Sequence, residues 1–443
     1  MRVAFYIDPI VDDGLPYRRI WWLYNSITMM LLLESDASQW TERFRIITNR
    51  HLADKALEGV ALPAGPAKGL TARVPPDCLK IISFRETLDI FGQDSLTTNG
   101  RWLSGRYEPD EALRYGTLIK DRLDWEPEII VSFSASPFLR AAFPACLVLN
   151  WEAGIFSTAP FPNTGFLDPM GTFRSSFLVS HADEVKSHRS TPEEQRMLAT
   201  IRSKYLSGVY ARTNPFTAAM GNVRERFKST WVWPTVWARS FGWDWDAPID
   251  HTFDYLCWVL DEVGPDVGVT VSEHPKRRHY WDDEKKEYLR RYFPNFMIIP
   301  NEYQIRGASQ YLLQLVDGCI GMGSMTGEHA PLFGKKLVTP CKNHLTPYSD
   351  ATSLENLSDL AHEPPPAWRD PALIWKLTRY YVPYDLQFSP GWFQAAFERW
   401  LGLFRAGEID MGYYEPAAPS ADILKIYAFQ EVGEMPERWP DIQ

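Results

Sequence analysis

At 443 residues the chain is long enough for two or three ordinary domains, each able to bury a full core. Its 45% hydrophobic and 23% charged content excludes an intrinsically disordered polymer, and a net charge of -10 argues against non-specific attachment to nucleic acid or anionic lipid. The five scattered cysteines, Cys78, Cys146, Cys257, Cys319 and Cys341, form no CxxC pair and no zinc-ligand spacing, and read as reduced core residues of a cytosolic protein.

Residues 3–7 form a β run that lacks the shape of a secretory leader, and the apolar stretch 27–33 is too short to span a bilayer. The expected location is therefore cytoplasmic, with at most peripheral contact at the inner membrane. A loop from Asp8 leads into helical periodicity over 18–33, followed by a strand at 44–48. Strand, loop, helix and strand open a doubly wound α/β domain. Further strands are expected at 79–84, 127–133 and 145–150, the last running into Trp151, Glu152, Ala153 and Gly154. The Pro- and Gly-bearing stretch 156–173 reads as a long loop, and 192–207 and 215–227 as helices.

The stretch 231–246 holds five Trp and reads as the connection into a second α/β domain. There the pattern predicts a helix at 251–263, a strand at 267–271, a charged helix at 282–292 and a strand at 296–299. A helix at 309–315, a strand at 318–322, a short helix at 327–333 and a strand at 336–339 follow. Such alternation predicts a parallel sheet. Residues 371–404 read as one or two long helices. The 18 Trp suit both sugar-stacking clefts and large cores, and composition favours cores.

Two segments carry candidate chemistry. His274, Pro275 and Lys276 follow a strand end, where open α/β sheets bind ligands. Imidazole and ammonium both donate to phosphate, and Pro275 stiffens the turn. The run Gly323-Ser324-Met325-Thr326-Gly327-Glu328 opens a helix whose exposed N–H groups would hold a phosphate. Glu328 in its first turn is a candidate ribose ligand, and the plainer reading is a carboxylate at a favourable helix end. Glu152 at a strand tip is a candidate general acid/base. Asp244 and Asp246 flank Trp245, and either could attack an oxocarbenium-like carbon. An exposed hinge pair is the bland alternative.

The C-terminal half resembles the bacterial retaining β-Kdo glycosyltransferases of capsule and O-antigen polysaccharide assembly. The resemblance rests on Glu273-His274-Pro275, Phe293-Pro294-Asn295-Phe296, Ser309-Gln310, Val316-Asp317-Gly318, the 323–328 loop and Gly334-Lys335-Lys336, with Glu152-Ala153-Gly154 and Asp246-Ala247 upstream. It implies a GT-B-like architecture of two Rossmann-like domains facing across a cleft. Residues 1–235 would form the acceptor-side domain, 236–370 the nucleotide-sugar domain, and 371–443 C-terminal helices packing back on the first. It also implies Kdo transfer from CMP-β-Kdo to a glycan or lipid-linked glycan, with retention and without metal or cofactor. Asp246 would be the nucleophile, with Asp244 as the alternative, and Glu152 the acid/base. His274, Pro275, Lys276, Ser324, Thr326 and Glu328 would hold the nucleotide, with Gln310 nearby. His329 and the Trp-rich run around Asp246 depart from the family pattern. A transferase using CMP-sialic acid or a UDP-sugar, or a non-catalytic glycan-binding or assembly protein, remain alternatives.

Overall fold

The computed structural model describes all residues except 10–15, 62–68, 70, 93–97, 99–100, 102–105, 134–136, 157–160, 211–213, 237–248, 250, 274–279, 300–306, 417 and 431–443. Alternating β-branched and aromatic runs give β1 (Val3–Tyr6) and β2 (Phe44–Thr48), separated by the Pro16–Leu33 helix. A small antiparallel ribbon, β3 (Val60–Ala61) and β4 (Thr71–Ala72), precedes β5 (Leu79–Ile81), β6 (Ile129–Ser132), β7 (Leu147–Ala153) and β8 (Thr164–Asp168). In the first large sheet, β5, β2, β1, β6 and β7 are parallel neighbours in that order. With β1 central and the order reversing beside it, this is the arrangement of a doubly wound nucleotide-binding half.

The second sheet comprises β9 (Ser229–Pro234), β10 (Val267–Ser272), β11 (Phe296–Ile298), β12 (Gly318–Ile320) and β13 (Lys336–Val338). Its order is β11-β10-β9-β12-β13, and every pairing is parallel. Both sheets thus repeat one topology, and the α/β class with two Rossmann-like sheets holds. The strands are short, buried apolar runs, as parallel strands covered on both faces require.

The chain forms two compact units. One holds Met1–Ser157, Asn163–His181 and Arg379–Ala417; the other holds Thr158–Pro162, Ala182–Thr378 and Ala418–Gln443. These divisions differ from boundaries at 235 and 370. The stretch 231–246 begins as a strand: Trp231 and Trp233 alternate with Val232 in the middle of the second sheet, both rings fully buried. A Trp-rich composition masks a two-residue period, and sheet pairing on both sides of β9 overrides the linker reading.

The supposed loop 156–173 contains β8, which pairs antiparallel with β7 and extends the first sheet past its parallel strands. The C-terminal reading also changes. After the Arg369–Trp375 helix comes a π-helical turn at Lys376–Tyr380, then β14 (Val382–Pro383), which adds an antiparallel edge to β8. The Trp392–Ala406 helix belongs to the first unit and the Ser420–Phe429 helix to the second. The C-terminal region is therefore shared between the units, and β14 joins the first through its pairing with β8.

Candidate functional site

The second sheet brings three chain exits to its carboxyl edge. In register, Ser272 of β10 is level with Pro234 of β9, and Cys319 of β12 is level with Val232. The order reverses between β9 and β12, so a crevice outside these strand ends is the expected ligand position. Thr235 N donates to Ser272 O at 2.9 Å, keeping the first two exits together.

Asp244 and Asp246 lie in the stretch joining β9 to the Thr252–Glu262 helix, and both fall outside the described residues, as do His274, Pro275 and Lys276. The ends of both stretches are held. Thr252 Oγ1 donates to Val236 O at 3.2 Å. Glu273 Oε1 accepts from Trp281 N at 3.0 Å, and Trp281 Nε1 donates to Thr235 Oγ1 at 2.9 Å. Glu273 therefore ties the two ends of the segment that carries His274 and Lys276, a role that sequence reasoning did not assign.

Beyond β12, Gly323 adopts φ of +83°, which a side chain would strain, and turns the chain into the Met325–Leu332 helix. Ser324 is the N-cap, its Oγ accepting from Thr326 N at 3.3 Å. Ser324 and Met325 are half-buried, and Thr326 is buried. Gln310 Nε2 lies 3.3 Å from His329 Nδ1, and the His329 ring stacks on Phe161. Gln310 thus meets the helix through His329.

Glu328 occupies a different setting from the ribose ligand the resemblance implies. Its side chain is 1% exposed, and Oε2 accepts from Lys376 Nζ at 2.7 Å. The ammonium also sits 4.1 Å from the Tyr348 ring centroid. Burial pushes the nearby His344 imidazole down to about 4, with Glu328 raising it and Lys376 lowering it. At its other end the same helix is capped by Arg202, whose guanidinium donates to Leu332 O and Pro331 O while pairing with both Asp370 oxygens. Lys376 and Asp370 both come from the 369–376 stretch, so one stretch holds both ends of the helix. No local sequence signal marks Lys376, because its partner lies 48 residues away.

Glu152 lies within β7, level with Phe166 of β8, and keeps part of its side chain exposed. Its Oε1 accepts from Ala153 N at 2.9 Å. Tyr384 has its phenol held well above the ordinary range, mainly by burial and secondarily by Glu152. Among the described residues no cluster of His, Cys, Asp or Glu could hold a metal ion, and no helix is long and apolar enough to cross a membrane.

No protein-family model matches the sequence, and no curated protein matches it. Among solved structures, the chain is similar to KpsC of Thermosulfurimonas dismutans, a beta Kdo 2,7 transferase. The match has 14% identity and a TM-score of 0.40, and it covers 62% of this chain and 83% of that one.

Proposed function

We propose that the chain is a glycosyltransferase that moves a sugar from a nucleotide-activated donor to a glycan or lipid-linked glycan. The finer reading is retaining β-Kdo transfer from CMP-β-Kdo. It is carried by the common carboxyl edge of β9, β10 and β12, from which the segments bearing Asp246, His274 to Lys276, and Ser324 all depart. In this reading His274, Lys276 and the Ser324–Thr326 backbone bind the donor phosphate through charge-assisted and helix-end hydrogen bonds.

Asp246 attacks the anomeric carbon, and the bond from that carbon to the phosphate oxygen breaks with its electron pair on CMP. The acceptor hydroxyl then loses its proton to Glu152 and displaces Asp246 from the same carbon. Two inversions give net retention. Asp244 is the alternative nucleophile. Glu328 is paired with Lys376, and a role for it at the ribose stays part of the proposal.

A thermal-shift panel of CMP, UMP, UDP and NAD tests the donor class, since a ligand of the folded state raises the melting temperature. The expected result is stabilisation by CMP, together with Kdo transfer from CMP-Kdo detected by mass spectrometry. Asp246→Asn should retain the CMP shift and lose transfer. Stabilisation by UDP alone would transfer the reading to a UDP-sugar. Stabilisation by none of them would end it.

A further inference from the structure

A carboxylate in the first turn of a helix competes with a bound anion for the positive helix end. Glu328 occupies that turn of the Met325–Leu332 helix. Uncompensated, its charge would oppose the phosphate assigned to this helix end. The groups facing it are specific. Tyr348 is neutral, its phenol pushed far up by burial, with further contributions from Glu328, Glu184 and Asp183. His344, held down at about 4, carries no charge near neutral pH. Lys376 supplies the opposite charge at 2.7 Å, and both members of the pair are buried. It opens the π-helical turn Lys376–Tyr380, a widened geometry often found at functional positions.

We propose that Lys376 is the counter-charge that neutralises Glu328 and keeps this helix N-terminus receptive to an anionic phosphate. Lys376 is a positioning residue: it acts on the donor's phosphate through Glu328. The inference rests on the nucleotide-donor reading above and names what makes its phosphate site electrostatically possible. It separates the phosphate from the rest of the nucleotide, because only the phosphate feels the first-turn charge.

The test is calorimetric titration of wild type, Lys376→Met, Lys376→Gln and the double variant Glu328→Gln/Lys376→Met with CMP and with cytidine, at pH 6 and pH 8. Lys376→Gln keeps a hydrogen-bond donor without charge and serves if Lys376→Met does not fold. The single variants should bind CMP about tenfold more weakly at pH 8. The loss should shrink at pH 6, because a buried unpaired carboxylate takes up a proton as pH falls. Cytidine affinity should not change, and the neutral double variant should restore CMP binding.

An equal loss for CMP and cytidine, or a loss independent of pH, would reduce Lys376 to a structural partner and overturn the proposal. So would a double variant that remains weak for both ligands, which would assign Glu328 to the ribose. Wild type that binds neither ligand would instead refute the cytidylate reading on which the proposal stands.

Discussion

The Tyr380 phenol donates to Asp168 Oδ2 at 2.8 Å, joining residues 212 positions apart in the chain. The same carboxylate accepts from the backbone N–H groups of Met170, Gly171 and Phe177. Burial pushes Asp168 up, while these four hydrogen bonds pull it down. The half-buried Arg140 guanidinium interacts electrostatically with it and donates to Asn150 Oδ1 at 2.6 Å. This polar knot is what recruits the segment after residue 378 into the first unit, alongside the β14–β8 pairing.

Tyr380→Phe should therefore cost about 1.5–3 kcal/mol, the range for a hydrogen bond to a charged group. The ring would still stack on Phe166, so packing is kept while the donor is lost. Urea unfolding followed by tryptophan fluorescence measures this. A change within experimental error would mean that the backbone N–H groups alone satisfy Asp168.

Gly318 faces the indole of Trp231 so closely that an added Cβ would lie 2.3 Å from the ring. The ring is fully buried and cannot move without disturbing β9, the central strand. Gly318→Ala should destabilise the protein by about 1–3 kcal/mol through overpacking. A melting temperature equal to wild type would show that Trp231 repacks without cost.

His344 predicts a pH dependence of stability. Its folded-state value of about 4 lies below the ordinary histidine value of about 6.5. Above pH 6.5 the ring is neutral in both states, and the contribution to stability is complete. As pH falls from 6.5 to 4, the unfolded chain binds a proton that the folded chain refuses. Stability then declines by an amount on the order of 3 kcal/mol and loses little more from this group below pH 4. Unfolding midpoints at pH 7.5 and 4.5 for wild type and His344→Gln check this. The variant should show a visibly smaller decline, and an identical decline would acquit His344.

Glu152→Gln separates chemistry from folding. The carboxylate's hydrogen bond from Ala153 N can be kept by the amide oxygen, so the loss of that contact alone should not unfold the protein, and the melting temperature is measured alongside. Removal of a general acid/base should lower the transfer rate by about 100-fold or more. Full activity in this variant would take Glu152 out of the mechanism.

The residue order by itself determined the local elements. The 44–48 strand and the 282–292 helix appear where their periodicity puts them. It also determined the α/β class, since alternating strand and helix patterns admit few parallel topologies. Only tertiary structure decided that Trp231 and Trp233 lie in a central strand, that 164–168 pairs with β7, and that the chain after Thr378 returns to the first unit before entering the second again. It alone revealed the buried ion pair between Glu328 and Lys376. The division has one physical cause. Hydrophobic period and capping act over a few residues, whereas sheet-edge pairing and the compensation of a buried charge depend on partners tens to hundreds of positions away.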